Sequence, residues 1–225
     1  MSIFGESKKI TVIAGHYGCG KTNIAVNLAL KLANEGKSVS IVDLDIVNPY
    51  FRTADSEKLL QDSGVDTILP EFANTNIEIP TLPVRFRSVF VSENSAIIDV
   101  GGDDAGAIVL GSYVGEIAEA GYDMFFVYNK YRPSISDVKD AYAMMVAIEH
   151  ASGLKFNGII NNSNLGADTE ADDIIASALD AKQLASLSGL PISATTALNR
   201  LKDSLENYNV IEKLVYIDDV SKKLF

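Results

Sequence analysis

One stretch of eight residues constrains what this chain can fold into more than any other. Residues 15–22 read GHYGCGKT and fit the phosphate-binding pattern G-x-x-x-x-G-K-[ST]. An apolar run, Ile10 to Ala14, precedes the stretch and predicts a buried strand. Helical spacing of apolar residues follows it, at Ile24, Leu28 and Leu32. A strand, a glycine-rich loop and a helix in this order are the context in which the pattern binds phosphate.

Each residue type in this stretch has a role in holding phosphate groups. The glycines let backbone N–H groups turn inward around a polyphosphate, and the following helix adds its positive end. Lys21 can then reach the β- and γ-phosphates, and the Thr22 hydroxyl is placed to bind Mg²⁺. We expect a bound nucleotide to contact the loop and the first helical turn: Gly15, Gly18, Cys19, Gly20, Lys21, Thr22 and Asn23.

The length and composition favour one α/β domain. At 225 residues and 47% hydrophobic, the chain is long enough to fill one such domain and short for two. We therefore expect residues 1–225 to form a single nucleotide-binding domain. A formal net charge of −11, without a long basic run, argues against a protein that holds nucleic acid on its own surface.

The cysteine content and the N-terminal sequence bear on the compartment. One cysteine excludes an internal disulfide framework and a four-cysteine metal site within one subunit. The first ten residues lack the apolar core of a signal peptide, and no run approaches the ~20 apolar residues of a membrane span. We expect a cytoplasmic protein without a direct membrane or nucleic-acid signal.

Apolar runs alternate with segments of helical spacing along most of the chain. This alternation predicts a doubly wound α/β fold, with a mostly parallel sheet of about seven strands between two layers of helices. Residues 46–94 are less regular, and we predict there a short helix near Ser56 to Ser63 and an edge strand around Arg85 to Val91. One helix is predicted over residues 105–120, and the apolar periodicity of residues 210–225 predicts a packing helix.

Acidic residues end two of the predicted strands. Asp43 and Asp45 end the strand that begins near Ser38, and Asp99 ends an apolar strand that is followed by two glycines. Such carboxylates lie beside the phosphate loop because ligands of open parallel sheets bind at the carboxyl ends of the strands. Asp43 and Asp45 are candidates for Mg²⁺ binding and water positioning, or they simply end a strand. Asp99 fits the Walker B pattern, whose carboxylate accepts from the metal's water shell or from the loop hydroxyl.

With these motifs in place, the chain resembles the MinD/ParA/nitrogenase iron protein branch of P-loop ATPases, from about Lys9 to Arg200. The family loop, a deviant Walker A, reads G-K-G-G-x-G-K-[ST]. Three of its four glycines, at Gly15, Gly18 and Gly20, and its final Lys-Thr pair match this chain, and the fourth glycine falls on Tyr17. The family's signature lysine, which reaches the partner's phosphates in a nucleotide-sandwich dimer, falls on His16. A neutral imidazole there can donate one hydrogen bond but lacks a lysine's fixed charge.

Two later segments resemble the switches of this family. Residues 43–48, DLDIVN, are similar to switch I, which implies that Asp45 orients the attacking water and that Asp43 lies near the metal. Residues 99–103, DVGGD, are similar to switch II of the nitrogenase iron protein. The iron protein's cluster cysteine, downstream of this motif, has no counterpart here, so no iron–sulfur cluster is expected. The resemblance thus implies catalytic Lys21 and Asp45, and Mg²⁺ near Thr22, Asp43 and Asp99.

The predicted nucleotide is ATP. Residues 158–164, GIINNSN, resemble the family strand that ends in an adenine-binding asparagine, and Asn162 is the matching residue. The segment at Pro191 resembles the place where backbone groups contact the base. A GTPase would instead carry N-K-x-D, whose carboxylate reads guanine. Asn129 begins this pattern, but Arg132 stands where the aspartate is needed.

The resemblance implies an ATPase that acts as a nucleotide-driven conformational switch on a partner that the sequence does not identify. An ATP-dependent homodimer belongs to the same expectation. Two other functions stay open at this point. One is an ATP-dependent small-molecule ligase or kinase of the dethiobiotin or cobyrinate synthetase type, which also lacks the signature lysine. The other is a nucleotide-binding regulator that does not hydrolyse ATP.

Overall fold

The fold is built on one sheet of eight parallel strands. The computed structural model describes residues 8–44, 57–69, 84–101, 104–135, 137–206, 208, 211 and 213–220. The strands are β1 (Ile10–Gly15), β2 (Val39–Leu44), β3 (Asp66–Ile68), β4 (Ser95–Val100), β5 (Tyr122–Tyr128), β6 (Gly158–Asn161), β7 (Ile192–Leu198) and β8 (Leu214–Ile217). Their order in the sheet is β3-β2-β4-β1-β5-β6-β7-β8.

Helices connect most of the strands. In the same ranges they are α1 (Lys21–Asn34), α2 (Glu57–Asp62), α3 (Ser88–Val91), α4 (Asp104–Gly111), α5 (Val114–Ala120), α6 (Val138–Ser152), α7 (Ala171–Ser188) and α8 (Lys202–Leu205). Short 3₁₀ segments cover Val84–Arg87, Pro133–Ile135, Gly166–Asp168 and Asn199–Leu201.

Apolar side chains fill both faces of the sheet. Successive residues of a strand point to opposite faces, so Val12 and Ala14 of β1 pack on one face, in a core shared with α4, α5 and α6. Ile13 packs on the other face, in a core shared with α1 and with Leu60 of α2. The sheet is therefore the middle of three layers. This confirms the predicted doubly wound α/β fold, with eight strands where about seven were expected.

The eighth strand lies where a helix was predicted. Within residues 210–225, β8 pairs with β7 in parallel, from Thr195 opposite Leu214 to Leu198 opposite Ile217. The prediction of a helix over this segment was wrong. Four consecutive residues, LVYI, form the strand, and a short apolar run of this kind does not separate helix from strand by its periodicity.

The predicted edge strand around Arg85 to Val91 is helical instead. A 3₁₀ turn leads directly into α3, and Phe86 and Val89, three residues apart, are both buried on one side of it. The outermost strand on this side of the sheet is β3. The Arg85 guanidinium donates to the carboxylate of Asp66, in β3, over 2.8 Å. The short helix predicted near Ser56 to Ser63 is α2.

The helix predicted over residues 105–120 is divided in two. Helix α4 ends at Gly111 and α5 begins at Val114. Between them, the ring of Tyr113 lies 4.8 Å from that of Phe86 and 5.9 Å from that of Phe90. The chain therefore bends where an aromatic side chain packs against the residues before β4.

Candidate nucleotide-binding site

The phosphate loop follows β1, a central strand, on the side of the sheet where the carboxyl ends of the strands lie. Strand β1 stands between β4 and β5, with Ile13 opposite Asp99 and Gly15 opposite Val127. Ligands of open parallel sheets bind at this edge. The sequence pattern therefore meets the structural context that it requires, a buried strand before the loop and helix α1 after it.

Three glycines give the loop its shape. Gly15, Gly18 and Gly20 have φ angles of 150°, 73° and 91°, which side-chain-bearing residues rarely adopt. A Cβ on Gly15 would lie 2.6 Å from the carbonyl oxygen of Val127, and one on Gly20 would collide with the amide of Asn162. The loop can therefore turn and pack against its neighbours only with glycine at these positions.

The lysine and the threonine that follow the loop are both held by its surroundings. The Lys21 side chain is buried, with 7% of its surface exposed, and its Nζ donates to the His16 carbonyl oxygen over 3.1 Å. The Thr22 Oγ1 donates to Asp99 Oδ2 over 2.5 Å. This is the contact that the Walker B pattern predicts between a strand-end carboxylate and the loop hydroxyl.

Two buried carboxylates stand side by side, and one of them accepts from this threonine. Asp43 of β2 and Asp99 of β4 are register partners, and their exposed fractions are 4% and 2%. Both point to the α1 face, because Ile41 and Ile97, two residues earlier, belong to the core on that face. The donor set of two carboxylates and a hydroxyl fits Mg²⁺, which prefers oxygen ligands and keeps part of its shell for water and phosphate.

The described residues contain no group of three or more His, Cys, Asp or Glu side chains arranged to hold a metal ion. Mg²⁺ in nucleotide enzymes is usually bound through one or two protein oxygens and the substrate's phosphates.

Cys19 lies inside the loop and is buried. Burial raises the pKa of its thiol above the ordinary value of 9.0, and the charges of Lys21 and Arg132 act in the opposite direction. The side chain packs in the same core as Ile13 and α1. Cys19 therefore contributes to the packing of the loop on this core.

The side chain of Asn162 braces the phosphate loop through a hydrogen bond to its backbone. Its Nδ2 donates to the Cys19 carbonyl oxygen over 2.7 Å, and its Oδ1 accepts from Thr196 Oγ1 over 2.6 Å. The side chain is only 5% exposed. The sequence did not indicate this bracing role or its partner Thr196, and the adenine contact predicted for Asn162 stays a prediction.

Pro191 lies at the amino ends of the strands, whereas the loop lies at their carboxyl ends. It directly precedes β7, and its carbonyl oxygen accepts from the backbone N–H of Ile159 near the start of β6. The structure therefore does not bring Pro191 to the site. The reason is the length of β7, which runs on to Leu198, so that Asn199 instead stands at the carboxyl edge.

Asn23, in the first turn of α1, contacts the C-terminal part of the chain. Its Oδ1 accepts from the backbone N–H of Val220 over 3.0 Å. One turn later, Asn27 exchanges two hydrogen bonds of 2.9 Å with the backbone of Asp218. The helix that begins at the loop is thus tied to the segment that follows β8.

The turn after β5 is fixed by a buried asparagine. Asn129 Oδ1 accepts from the backbone N–H groups of Tyr131 and Asn164 over 3.0 and 3.2 Å. Tyr131 donates its hydroxyl to the Asp173 carbonyl oxygen, and burial, with Asp173 nearby, raises the pKa of Tyr131 to about 12. This turn brings Arg132 against Gly18 of the loop, a placement that the sequence did not predict.

Two residues of the predicted site lie outside the described residues. They are Asp45, to which the resemblance assigns the attacking water, and Asp103 of the second predicted switch. Their roles stay predictions.

Residues 6–98 match the ParA family model, described as the NUBPL iron-transfer P-loop NTPase. This range contains the phosphate loop and reaches the strand that carries Asp99. The match confirms the MinD/ParA-type resemblance that the sequence motifs indicated.

Curated relatives match shorter parts of the chain. The iron-sulfur cluster carrier protein of Escherichia coli K12 is 49% identical over 51 residues, which are 23% of this chain and 14% of that protein. The cytosolic Fe-S cluster assembly factor NUBP2 homolog of Trichoplax adhaerens is 31% identical over 84 residues, 36% of this chain and 32% of that protein. The iron-sulfur cluster carrier protein of Pyrococcus abyssi is 30% identical over 96 residues, again 32% of that protein.

Solved structures share the fold. The cell division protein FtsY of Thermotoga maritima aligns with 90% of this chain and 66% of its own, at a TM-score of 0.53 and 18% identity. The signal recognition particle 54 kDa protein of Aeropyrum pernix, solved with GDP, aligns with 85% of this chain and 42% of its own, at a TM-score of 0.50 and 15% identity. These likenesses concern the fold alone.

The expectation that no iron–sulfur cluster is involved was wrong. It rested on a missing cluster cysteine, whereas the relatives above are named carriers and assembly factors for such clusters. A cysteine count in one chain is a weak guide here, because cluster ligands can come from more than one chain.

Among the described helices, none is long and apolar enough to cross a membrane.

Proposed function

We propose that this chain, a P-loop NTPase of the MinD/ParA type, binds and hydrolyses Mg²⁺-ATP to drive a conformational switch in iron–sulfur cluster trafficking in the cytoplasm. One observation carries the nucleotide part of this proposal. The Thr22 hydroxyl donates to the buried carboxylate of Asp99 directly beside the buried Lys21. A hydroxyl, a carboxylate and a lysine in this arrangement suit a nucleotide's phosphates and the metal that accompanies them.

Each residue of the loop has a role in the proposed reaction. The backbone N–H groups of the loop bind the β- and γ-phosphates, and Lys21 leaves the His16 carbonyl to neutralise the transferred group. Thr22, Asp43 and Asp99 hold Mg²⁺ directly or through its water shell. Mg²⁺ held by these residues would supply positive charge to the phosphate oxygens. Asp45 orients the attacking water.

The proposed nucleotide is ATP rather than GTP. Arg132 occupies the position at which a guanine-reading carboxylate stands in N-K-x-D proteins. Asn129, the first residue of that pattern, is fully buried and uses its side chain to join the turns that follow β5 and β6.

The switch follows from the position of the two carboxylates. Asp43 and Asp99 are register partners, and each is the first residue of one of the two segments that resemble family switches. Mg²⁺ held by both carboxylates would couple the γ-phosphate to both segments at once. Loss of that phosphate therefore releases both segments together.

The cluster part of the proposal is supported by the named functions of the relatives. The chain has one cysteine, which is buried within the phosphate loop. We propose that a partner protein contributes the cluster ligands, and that this chain supplies the nucleotide-driven step.

The test is cluster formation on an acceptor protein. An apo ferredoxin is incubated anaerobically with ferrous iron, sulfide and thiol, and cluster absorbance is followed with the chain present or absent and with Mg²⁺-ATP or Mg²⁺-ADP. We expect the chain with Mg²⁺-ATP to accelerate cluster formation. Lys21→Ala should remove the acceleration, and Lys139→Ala, which changes an exposed lysine of α6, should retain it. Equal rates for the chain and for Lys21→Ala would count against the proposal.

A further inference from the structure

The guanidinium of Arg132 lies against the middle of the phosphate loop. A Cβ built on Gly18 would stand 3.1 Å from Arg132 Cζ, 3.3 Å from Nε and 3.4 Å from Nη1. The three distances are similar, so the whole planar group lies over this glycine. A side chain at position 18 would have to displace it.

The backbone of Arg132 is held firmly in that place. Its N–H donates to the Asn129 carbonyl oxygen over 3.1 Å, and its carbonyl accepts from Ile135 over 3.0 Å. Strand β5, which leads into this turn, is the neighbour of β1, with Val127 opposite Gly15. The turn and the loop therefore extend from adjacent strands at the same edge of the sheet.

Arg132 forms no ion pair with another side chain in the described part of the molecule. No carboxylate there lies within salt-bridge distance of it, and its side chain is exposed. Two other basic side chains have partners. Lys130 pairs with Asp180 over 2.7 Å, and Arg200 donates to two backbone carbonyls.

The field of this charge reaches the interior of the loop. The pKa of the buried Cys19 thiol, next to Gly18, is raised by burial, and Arg132 is one of the charges that act to lower it. The guanidinium of an arginine is planar, and its N–H donors match the oxygens of a phosphate group.

His16 is less suited to replace the family's signature lysine. Its Nδ1 lies 2.8 Å from the Tyr17 carbonyl oxygen, so one of its two ring nitrogens already has a partner within the loop. The imidazole at the position of the missing lysine therefore has one ring nitrogen left for a ligand.

We propose that Arg132 is a phosphate-binding residue that supplies, from the same chain, the positive charge on the nucleotide that the signature lysine supplies elsewhere in the family. This inference rests on the proposed function. It assigns to the turn after β5 a contact with the terminal phosphates, and it makes that contact independent of a second chain.

The test compares Arg132→Gln and Arg132→Lys with the parent by calorimetric titration of a non-hydrolysable ATP analogue and of ADP, both with Mg²⁺. A charge-assisted hydrogen bond to a phosphate predicts that Arg132→Gln weakens analogue binding by about 10- to 100-fold. The loss for ADP should be smaller, and Arg132→Lys should recover part of the analogue affinity. Lys139→Gln, on the exposed side of α6, is the control for a change in net charge and should bind as the parent does.

A merely structural role for Arg132 predicts a different pattern. It would lower the melting temperature of the nucleotide-free protein and weaken both nucleotides equally, with no recovery in Arg132→Lys. That pattern, or an unchanged analogue affinity in Arg132→Gln, overturns the assignment and leaves the proposed nucleotide function standing. A parent protein that binds neither nucleotide overturns both.

Discussion

Replacement of Asn162 by alanine tests how the phosphate loop is held in place. The substitution removes the donor to the Cys19 carbonyl and the acceptor for the Thr196 hydroxyl, at 2.7 and 2.6 Å. A hydrogen bond contributes about 1 kcal/mol, and a buried group left without its partner costs about 1–3 kcal/mol. We expect the free energy of unfolding to fall by about 2–4 kcal/mol, which for a chain of this size lowers the melting temperature by about 4–16 °C.

The assay is urea unfolding and thermal melting of the nucleotide-free protein. Thr196→Val is the matched variant, because it removes one of the two hydrogen bonds and leaves the one to Cys19. Its loss should be about half that of Asn162→Ala. Nucleotide affinity should also fall in Asn162→Ala, and equally for ATP and GTP, since the defect lies under the loop rather than at the base.

A different outcome would show that Asn162 acts on the base. In that case the nucleotide-free variant would unfold like the parent protein, and only the preference for ATP over GTP would be lost. This result would refute the bracing role and would support the adenine contact predicted from the sequence.

Two further predictions concern the loop itself. Thr22→Val removes the hydroxyl that donates to Asp99, so the Mg²⁺ dependence of nucleotide affinity, measured by titration at several Mg²⁺ concentrations, should be lost, and an unchanged dependence would contradict the metal assignment. For Cys19, the folded-state pKa lies above the ordinary 9.0, so the folded protein keeps a proton that the unfolded chain releases. The stability of the parent relative to Cys19→Ala should therefore be constant below pH 9 and fall as the pH rises above it, and urea unfolding across this range would contradict the prediction if the two curves stayed parallel.

Local patterns in the sequence predicted much of the site. The contact between Thr22 and Asp99 joins residues far apart in the chain, yet each was recognisable because a hydroxyl after a glycine-rich loop and a carboxylate at a strand end are local signals. The layers of the fold followed in the same way, from apolar runs that alternate with helical spacing.

Other features depended on which strands are neighbours, which local patterns do not encode. Arg132 reaches Gly18 only because β5 lies beside β1. Asn162 braces Cys19 because β6 follows β5 in the sheet order. Pro191, which the resemblance places near the base, lies away from the loop because the full length of β7 separates it from the carboxyl ends of the strands.

The C-terminal strand and the helical turn before β4 show a second limit. Short apolar runs such as LVYI in β8 fit either type of structure, and pairing with a neighbouring strand decides between them. In the turn before β4, burial of Phe86 and Val89 on one side favours the helix over the strand.

The central claim is that the loop at the carboxyl edge of the sheet binds Mg²⁺-ATP through Lys21. Calorimetric titration of Mg²⁺-ATP into the parent chain and into Lys21→Ala tests it most directly. We predict one binding event per parent chain and none for Lys21→Ala at the same concentrations, with the variant still folded by circular dichroism. Equal binding by the two proteins, or no binding by the parent, would contradict the account.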